Sequence, residues 1–241
     1  PQAYDTYRQV LELEPAHTEA LGWVEDYLRQ RRKFADLRDV LFAAAKDSSQ
    51  SSDTRKAQLI DVAGICDSKL RDVDTAIAAW KLICQIDRGD DQARDKLFGL
   101  LEKGKRWDDL APLLEQQAMN ESDVESKIML ERKLADLHDK QREDPAAAAE
   151  AWVRIAGLSP GDDDAVNTAV ELYERAGQLE AAAGVIADSV GGIDGDTKGT
   201  LYEKLGELRG KLGDHVGAAE AFTEAAQILK KDEDWDLAAK A

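Results

Sequence analysis

The sequence has little of what a β-rich fold needs. It contains 5 prolines, aromatic side chains make up 6% of its 241 residues, and 43% of the residues are hydrophobic, many of them alanine or leucine. Alanine and leucine favour helices, whereas β-sandwiches and barrels depend on aromatic and β-branched side chains. The expected fold class is therefore all-α.

Cysteine and histidine are also scarce. Cys66 and Cys84 are too few for a disulfide framework and stand among apolar neighbours, so they are expected to be small core residues. None of His17, His138 and His215 has a second histidine or a cysteine at the four-residue spacing of a helical metal site, and His138 is expected on an exposed face. The sequence also lacks a Ser/His/Asp set and a phosphate-binding glycine loop. No metal, cofactor or catalytic residue is therefore expected, and the protein is not expected to be an enzyme.

Positive charge is in the minority. With 32 basic against 49 acidic side chains, the formal net charge is −17. Such a chain repels a phosphate backbone, so nucleic acid is not an expected ligand. A basic partner surface would be attracted to it, but an acidic surface that keeps a long array soluble is the favoured explanation of the charge.

Long apolar runs are missing as well. No run approaches the ~18 residues that span a bilayer, so no membrane insertion of this segment is expected. The chain starts at Pro1 without a methionine, and the absence of a leader therefore leaves both a cytoplasmic and a periplasmic location open.

The sequence does contain an internal repeat. Shifting it by about 72 residues superimposes aromatic positions at intervals of 73, 72 and 70 residues. The aromatic residues are Tyr7, Trp80, Trp152 and Phe222. Leu59, Leu130 and Leu201 recur in the same way, at intervals of 71 residues. Apolar residues in each copy stand at i, i+4 and i+7, which is one face of an amphipathic helix.

A small residue stands beside this apolar face in each copy. Gly64, Ala135 and Gly206 are each positioned to let a second helix approach closely. A weaker copy half a unit away predicts two helix pairs per repeat, and polar breaks at 48–53, 120–123 and 191–196 predict the loops between repeats. The expected organisation is a single solenoid with double-pair units at 18–88, 89–160 and 161–230. Partial repeats at 1–17 and 231–241 suggest a fragment of a longer array.

Residues 202–225 resemble the tetratricopeptide repeat (TPR) family, in its divergent bacterial form. The positions that carry the resemblance are Tyr202, Leu205, Gly206, Gly213, Asp214, Ala218, Phe222 and Ala225. Residues 60–83 and 134–160 repeat the pattern, whereas Glu25 and Phe98 stand where the family has a small residue. The resemblance implies a right-handed α-solenoid of antiparallel helix pairs, with a concave groove that binds peptides or partner domains and is lined by the first helix of each pair.

The resemblance also implies which residues face that groove. They recur at i, i+4 and i+8 on three first helices: Asp61, Ile65 and Lys69; Arg132, Asp136 and Lys140; Glu203, Glu207 and Lys211. The three lysines repeat every 71 residues and can form a ladder that receives acidic groups of an extended partner. The alternative is that Asp136–Lys140 and Glu207–Lys211 are ordinary helix-stabilising pairs, worth about 0.2–0.5 kcal/mol each.

Three clusters of aspartate raise the question of metal binding. They are Asp90, Asp91 and Asp95; Asp162, Asp163 and Asp164; and Asp232, Asp234 and Asp236. All lie where the chain enters a first helix, where aspartate caps free backbone N–H groups. Capping is therefore the favoured interpretation.

These observations predict a protein–protein interaction scaffold that binds a partner protein or peptide, one with a basic surface among the possibilities, through the groove. Two alternatives stay open: a regulatory or sensor module of a larger protein, and an α/α-toroid enzyme with a central catalytic acid. The partner, the biological process and the oligomeric state do not follow from the sequence.

Overall fold

The computed structural model describes residues 2–230, 235 and 238–240, and all regular structure among them is helical. Thirteen α-helices are present in this part of the chain. The expected all-α fold is confirmed. The helices form two compact units, residues 1–106 and residues 107–241.

The first unit contains six helices, each packed against the next. They are α1 (Gln2–Leu13), α2 (Thr18–Gln30), α3 (Phe34–Lys46), α4 (Ser52–Ile65), α5 (Val73–Ile86) and α6 (Asp91–Lys103). A π-helical turn, Cys66–Leu70, extends α4. The short turns make α2/α3 and α4/α5 antiparallel pairs, and their apolar faces share one hydrophobic core that includes Leu28, Leu41 and Leu59.

Residues 107–230 of the second unit contain seven helices, again packed in chain order. They are α7 (Trp107–Asn120), α8 (Val124–Lys140), α9 (Pro145–Leu158), α10 (Asp163–Arg175), α11 (Leu179–Ser189), α12 (Gly195–Lys211) and α13 (His215–Leu229). The pairs are α8/α9, α10/α11 and α12/α13, and a separate hydrophobic core includes Val170, Ile186 and Leu205. Below, α2, α4 and α6 in the first unit and α8, α10 and α12 in the second are called first helices.

The aspartate clusters act as helix caps. Asp90 accepts a hydrogen bond from the backbone N–H of Ala93 at 2.9 Å, and Asp162 accepts one from Ala165 at 3.0 Å. The capping interpretation is therefore confirmed for the first two clusters, while Asp232, Asp234 and Asp236 lie outside the described residues.

The predicted close approach of a second helix is found at Gly206 and is not found at Gly64. A Cβ atom at Gly206 would lie 2.8 Å from the ring of Phe222, so α12 and α13 require a glycine there. At Gly64 a Cβ would meet no heavy atom within 4 Å. Packing therefore does not explain Gly64, although it occupies the equivalent place in the repeat.

The turn between a first helix and its second helix follows a common backbone pattern. One residue in each turn adopts a left-handed conformation with positive φ. In chain order these residues are Arg32, Arg71, Lys105, Glu143, Gly177 and Gly213. The shared turn geometry and the antiparallel pairs give each unit a TPR-like solenoid fold, as the resemblance implied.

Candidate partner-binding face

Three first helices of the second unit lie side by side. Asp139 Oδ1 on α8 is 2.9 Å from Arg175 Nη2 on α10, and Glu174 Oε2 on α10 is 2.7 Å from Lys204 Nζ on α12. Lys211 Nζ is 3.7 Å from the other oxygen of Glu174. These ion pairs join the exposed sides of α8, α10 and α12 into one charged surface, which we call the first-helix face.

A cavity of about 200 Å³ opens on this face between α8 and α10. Ala135, Leu172 and the indole of Trp152 supply its apolar walls, and Thr168 and Glu171 are among its polar ones. Three of its eight lining residues are apolar and five are polar or charged, so it can receive one side chain of a ligand while charged groups surround its rim. Trp152 thus contributes to a surface pocket as well as to packing.

Trp152 already contacts a cation. The guanidinium of Arg132 lies 5.3 Å from the centroid of its ring, a cation–π contact. Arg132 is one of the residues predicted to face the groove, and the structure places it next to the cavity's aromatic wall.

Lys140 and Lys211, the predicted ladder lysines of the second unit, differ in their contacts. Lys140 Nζ pairs with Asp136 at 2.7 Å along α8, and this hydrogen bond raises the pKa of Lys140. Lys211 pairs instead with Glu174 on the neighbouring first helix. Glu203 is half-buried and Glu207 is exposed. The within-helix pair is thus present at Lys140, whereas Lys211 links two helices.

The predicted residues of the first unit are placed differently. Asp61 forms an ion pair with Arg29 of α2, and the Nζ atom of Lys69 lies 5.8 Å from the centroid of the Phe34 ring. Ile65 has an exposed fraction of only 5%, so it belongs to the core and presents no surface to a partner. The prediction that Ile65 faces the groove is therefore wrong, because neighbouring helices cover this side chain. Lys69 lies in a different unit from the other two lysines, so the three-lysine ladder stays a prediction.

Three residues of the first-helix face were not predicted from the sequence. Glu171 and Arg175 lie at the same register on α10 as Asp136 and Lys140 on α8, but the repeat motif is degenerate in α10. Extending the i, i+4 and i+8 pattern to that helix would have identified both. Nothing in the pattern indicated that Trp152, on a second helix, contributes a cavity wall.

Two polar side chains of α8 are buried beneath this face. Glu131 has an exposed fraction of 3%, and its Oε2 accepts a hydrogen bond from Nε of Arg154 on α9 at 2.9 Å. Nη2 of Arg154 also lies 2.9 Å from this oxygen, as an ion pair. Because a buried carboxylate needs such a partner, the pair fixes the approach of α9 to α8.

His138 is also buried, with an exposed fraction of 3%, contrary to the expected exposed position. Its Nδ1 lies 3.0 Å from Nη1 of Arg142, and its Nε2 lies 3.8 Å from Oε1 of Glu115. A guanidinium only donates, so Nδ1 accepts and the neutral ring carries its proton on Nε2. Burial, with Arg142 adding to it, lowers the pKa of His138. The expected exposed position is wrong because the side chain of His138 lies beside Glu115 of α7 and Arg142 and is shielded from solvent.

The cysteines behave as core residues. Burial raises the pKa of the Cys66 thiol to about 11 and also raises the pKa of Cys84. Within residues 2–230 and the few described beyond them, no group of three histidine, cysteine or acidic side chains is arranged to hold a metal ion. In the same part of the chain no helix is both long and apolar enough to cross a bilayer.

Comparison with known proteins relates the chain to solved TPR structures. No protein family and no curated protein matches it by sequence. YrrB, a TPR protein with an unusual peptide-binding site, is 16% identical, with 76% of this chain and 91% of YrrB covered and a TM-score of 0.36. A TPR protein from Parabacteroides merdae is 14% identical, with coverages of 98% and 91% and a TM-score of 0.31. The TPR2AB domain of yeast Sti1, solved in complex with pHSP90, is 13% identical, with coverages of 98% and 90% and a TM-score of 0.35. At these low TM-scores the fold assignment depends on the chain's own helix pairs and turns.

Proposed function

We propose that this chain is a noncatalytic interaction scaffold that binds an extended segment of a partner protein on the first-helix face of its second unit. The observation that carries the proposal is the cavity between α8 and α10, with Trp152 as its aromatic wall. Tryptophan is enriched among the few residues that contribute most of the binding energy at protein interfaces, so its ring in this cavity is the expected anchor point for a bound segment.

The charge of the face indicates what kind of segment fits. Asp136, Glu171 and Glu207 occupy one register on three successive first helices, and all three are exposed. Within the described residues, Glu171 and Glu207 form no ion pair. A segment with basic side chains can pair with this acidic row while an apolar side chain enters the cavity.

The residues predicted from the repeat pattern on the second unit remain part of this proposal, and the buried Ile65 of the first unit does not. On the second unit they are Arg132, Asp136, Lys140, Glu203, Glu207 and Lys211, while Asp61 and Lys69 lie on the first unit and stay a separate prediction.

Site-specific photo-crosslinking tests the proposal. A photoreactive amino acid in place of Thr168 reports on the cavity, and one in place of the exposed Glu150 on α9 serves as the control. In extracts of the source cells we expect a discrete crosslinked partner from position 168 and none from position 150. Adding Glu171→Lys and Glu207→Lys should abolish that crosslink because both charges are reversed. Equal crosslinking from both positions, or no effect of charge reversal, contradicts the proposed face.

A further inference from the structure

The first unit carries a long basic side chain at all three of its left-handed turn positions. They are Arg32 with φ 56°, Arg71 with φ 54° and Lys105 with φ 52°. Glycine adopts this conformation freely, whereas an L side chain pays a steric cost. In the second unit, Glu143, Gly177 and Gly213 occupy the equivalent positions. The turn conformation therefore does not select for a basic side chain, and the three basic residues of the first unit need another explanation.

These side chains are exposed and unneutralised. Arg32, Arg71 and Lys105, together with Lys103, form no ion pair or side-chain hydrogen bond with any other residue that the structure describes. We call these four residues the basic turn row. In a protein with a formal net charge of −17, a set of cations without carboxylate partners is a local reversal of the overall charge.

Ion pairs hold the three turns along one edge of the first unit. Nη1 of Arg38, just after the first turn, is 2.6 Å from Oδ2 of Asp72, at the second turn. Arg106, at the third turn, pairs with Asp74. Ion pairs thus connect each turn to the next, and the four residues of the basic turn row lie along one edge of the first unit.

A cavity of about 290 Å³ lies within this row. Arg71 and Lys103 are among its lining residues, and Val73, Ala76 and Leu100 provide apolar surface. A ligand that combines a carboxylate with a neighbouring apolar side chain satisfies both parts of this lining.

Two carboxylates also line the cavity, Asp67 and Asp72. Asp72 is already held by Arg38 and by the Thr75 side chain and backbone N–H, and these contacts lower its pKa. Asp67 is exposed. A nucleic acid would bring a charged phosphate at every nucleotide past these carboxylates, whereas a peptide can place a neutral residue there.

We propose that the basic turn row binds an acidic segment of a partner protein, with an apolar side chain of that segment entering the cavity between Arg71 and Lys103. The surface lies in a different unit from the face proposed above, so each proposal stands or fails without the other.

The test uses the whole chain and two labelled peptides of equal length, one of alternating glutamate and leucine and one with glutamine in place of glutamate. Fluorescence anisotropy measures Kd for the wild type and for an Arg32→Gly/Arg71→Gly/Lys105→Gly variant. We expect the variant to bind the glutamate peptide at least about tenfold more weakly. Its melting temperature should be unchanged or higher, since glycine suits positive φ.

A Lys46→Ala/Arg88→Ala/Lys96→Ala variant is the matched control, since it removes three exposed positive charges elsewhere in the same unit. It should bind the glutamate peptide as the wild type does. Equal weakening in both variants would show a general charge effect and overturn the proposal, as would equal affinity for the glutamine peptide.

Two further measurements exclude other occupants. A single-stranded oligonucleotide that binds more tightly than the glutamate peptide, through the same residues, would overturn the proposal in favour of nucleic acid. Sedimentation that shows self-association lost in the glycine variant would assign the row to a second copy of the chain. Should the glycine variant unfold, Arg32→Gln/Arg71→Gln/Lys105→Gln replaces it, with the same expected loss of binding.

Discussion

At the scale of single residues, burial determines which role a residue has when its type allows several. His138 on α8 and His215 on α13 both belong to the second unit, yet His138 is buried beside Arg142 and His215 is exposed. Burial and the neighbouring guanidinium both disfavour the charged form of the His138 imidazole and lower its pKa.

The buried histidine predicts a pH dependence of stability. Because the pKa of His138 is lowered below its ordinary value of 6.5, the unfolded chain takes up a proton at a pH where the native chain does not. This contribution to stability is complete above pH 6.5 and is lost as the pH falls from there towards the native pKa, with a slope of at most about 1.4 kcal/mol per pH unit.

Urea unfolding between neutral and mildly acidic pH measures this slope. His138→Gln should flatten it, since the glutamine amide can still accept a hydrogen bond from Arg142 without titrating. His215→Gln removes an exposed histidine and should leave the slope as it is in the wild type. Identical slopes for the wild type and His138→Gln would contradict a neutral buried ring.

At the scale of helices, one capping side chain accepts a backbone hydrogen bond at the start of five of the six first helices, and α12 has no such cap among the described residues. In the cluster at α10 only Asp162 accepts the hydrogen bond from the Ala165 N–H, although two more aspartates follow it. Asp163 and Asp164 act on the helix only through their charge near its positive end.

Single substitutions in this cluster should therefore lower the free energy of unfolding by different amounts. Asp162→Ala should lower the free energy of unfolding by about 1 kcal/mol, because an N–H of the first turn loses its acceptor. Asp164→Ala should lower it by about 0.3 kcal/mol, through the helix dipole alone. Chemical denaturation of the two variants measures both values, and equal costs would rule out a specific cap.

Helix positions and caps were predictable from the sequence because both depend on neighbours within one turn of the chain. The burial of Ile65 and His138 was not, because it depends on which helix covers each side chain. Gly64 and Gly206 show the same limit: they share a repeat position, but only Gly206 touches an aromatic ring of the next helix. The cavity beside Trp152 needs side chains from three helices, a combination that no periodicity within one helix records.

At the scale of the whole molecule, the two units have separate hydrophobic cores. In repeat proteins stability comes from each repeat and its nearest neighbours, so a cut that leaves both cores intact costs less than one that divides a core.

Fragments 1–106 and 107–241 should therefore each unfold cooperatively and show a helical circular dichroism spectrum. The control is a cut after Gln50, between α3 and α4, which divides the core of the first unit. Fragment 1–50 should have little stable structure. If 1–106 and 107–241 are as unstructured as fragment 1–50, the separate cores do not act as independent units.

The charges at the ends of the first helices also affect how the protein meets a partner in solution. Asp90 and Asp162 stand at the amino-terminal ends, and Lys103 and Arg175 stand in the last turns. First helices within a unit point the same way, so these formal charges give each unit an electric dipole. A charged partner turns the unit before the two surfaces touch, and productive collisions then occur mainly through one edge. At physiological ionic strength, salt screens this electrostatic interaction over a distance of about 8 Å. Added salt should therefore lower the association rate constant more than it raises the dissociation rate constant.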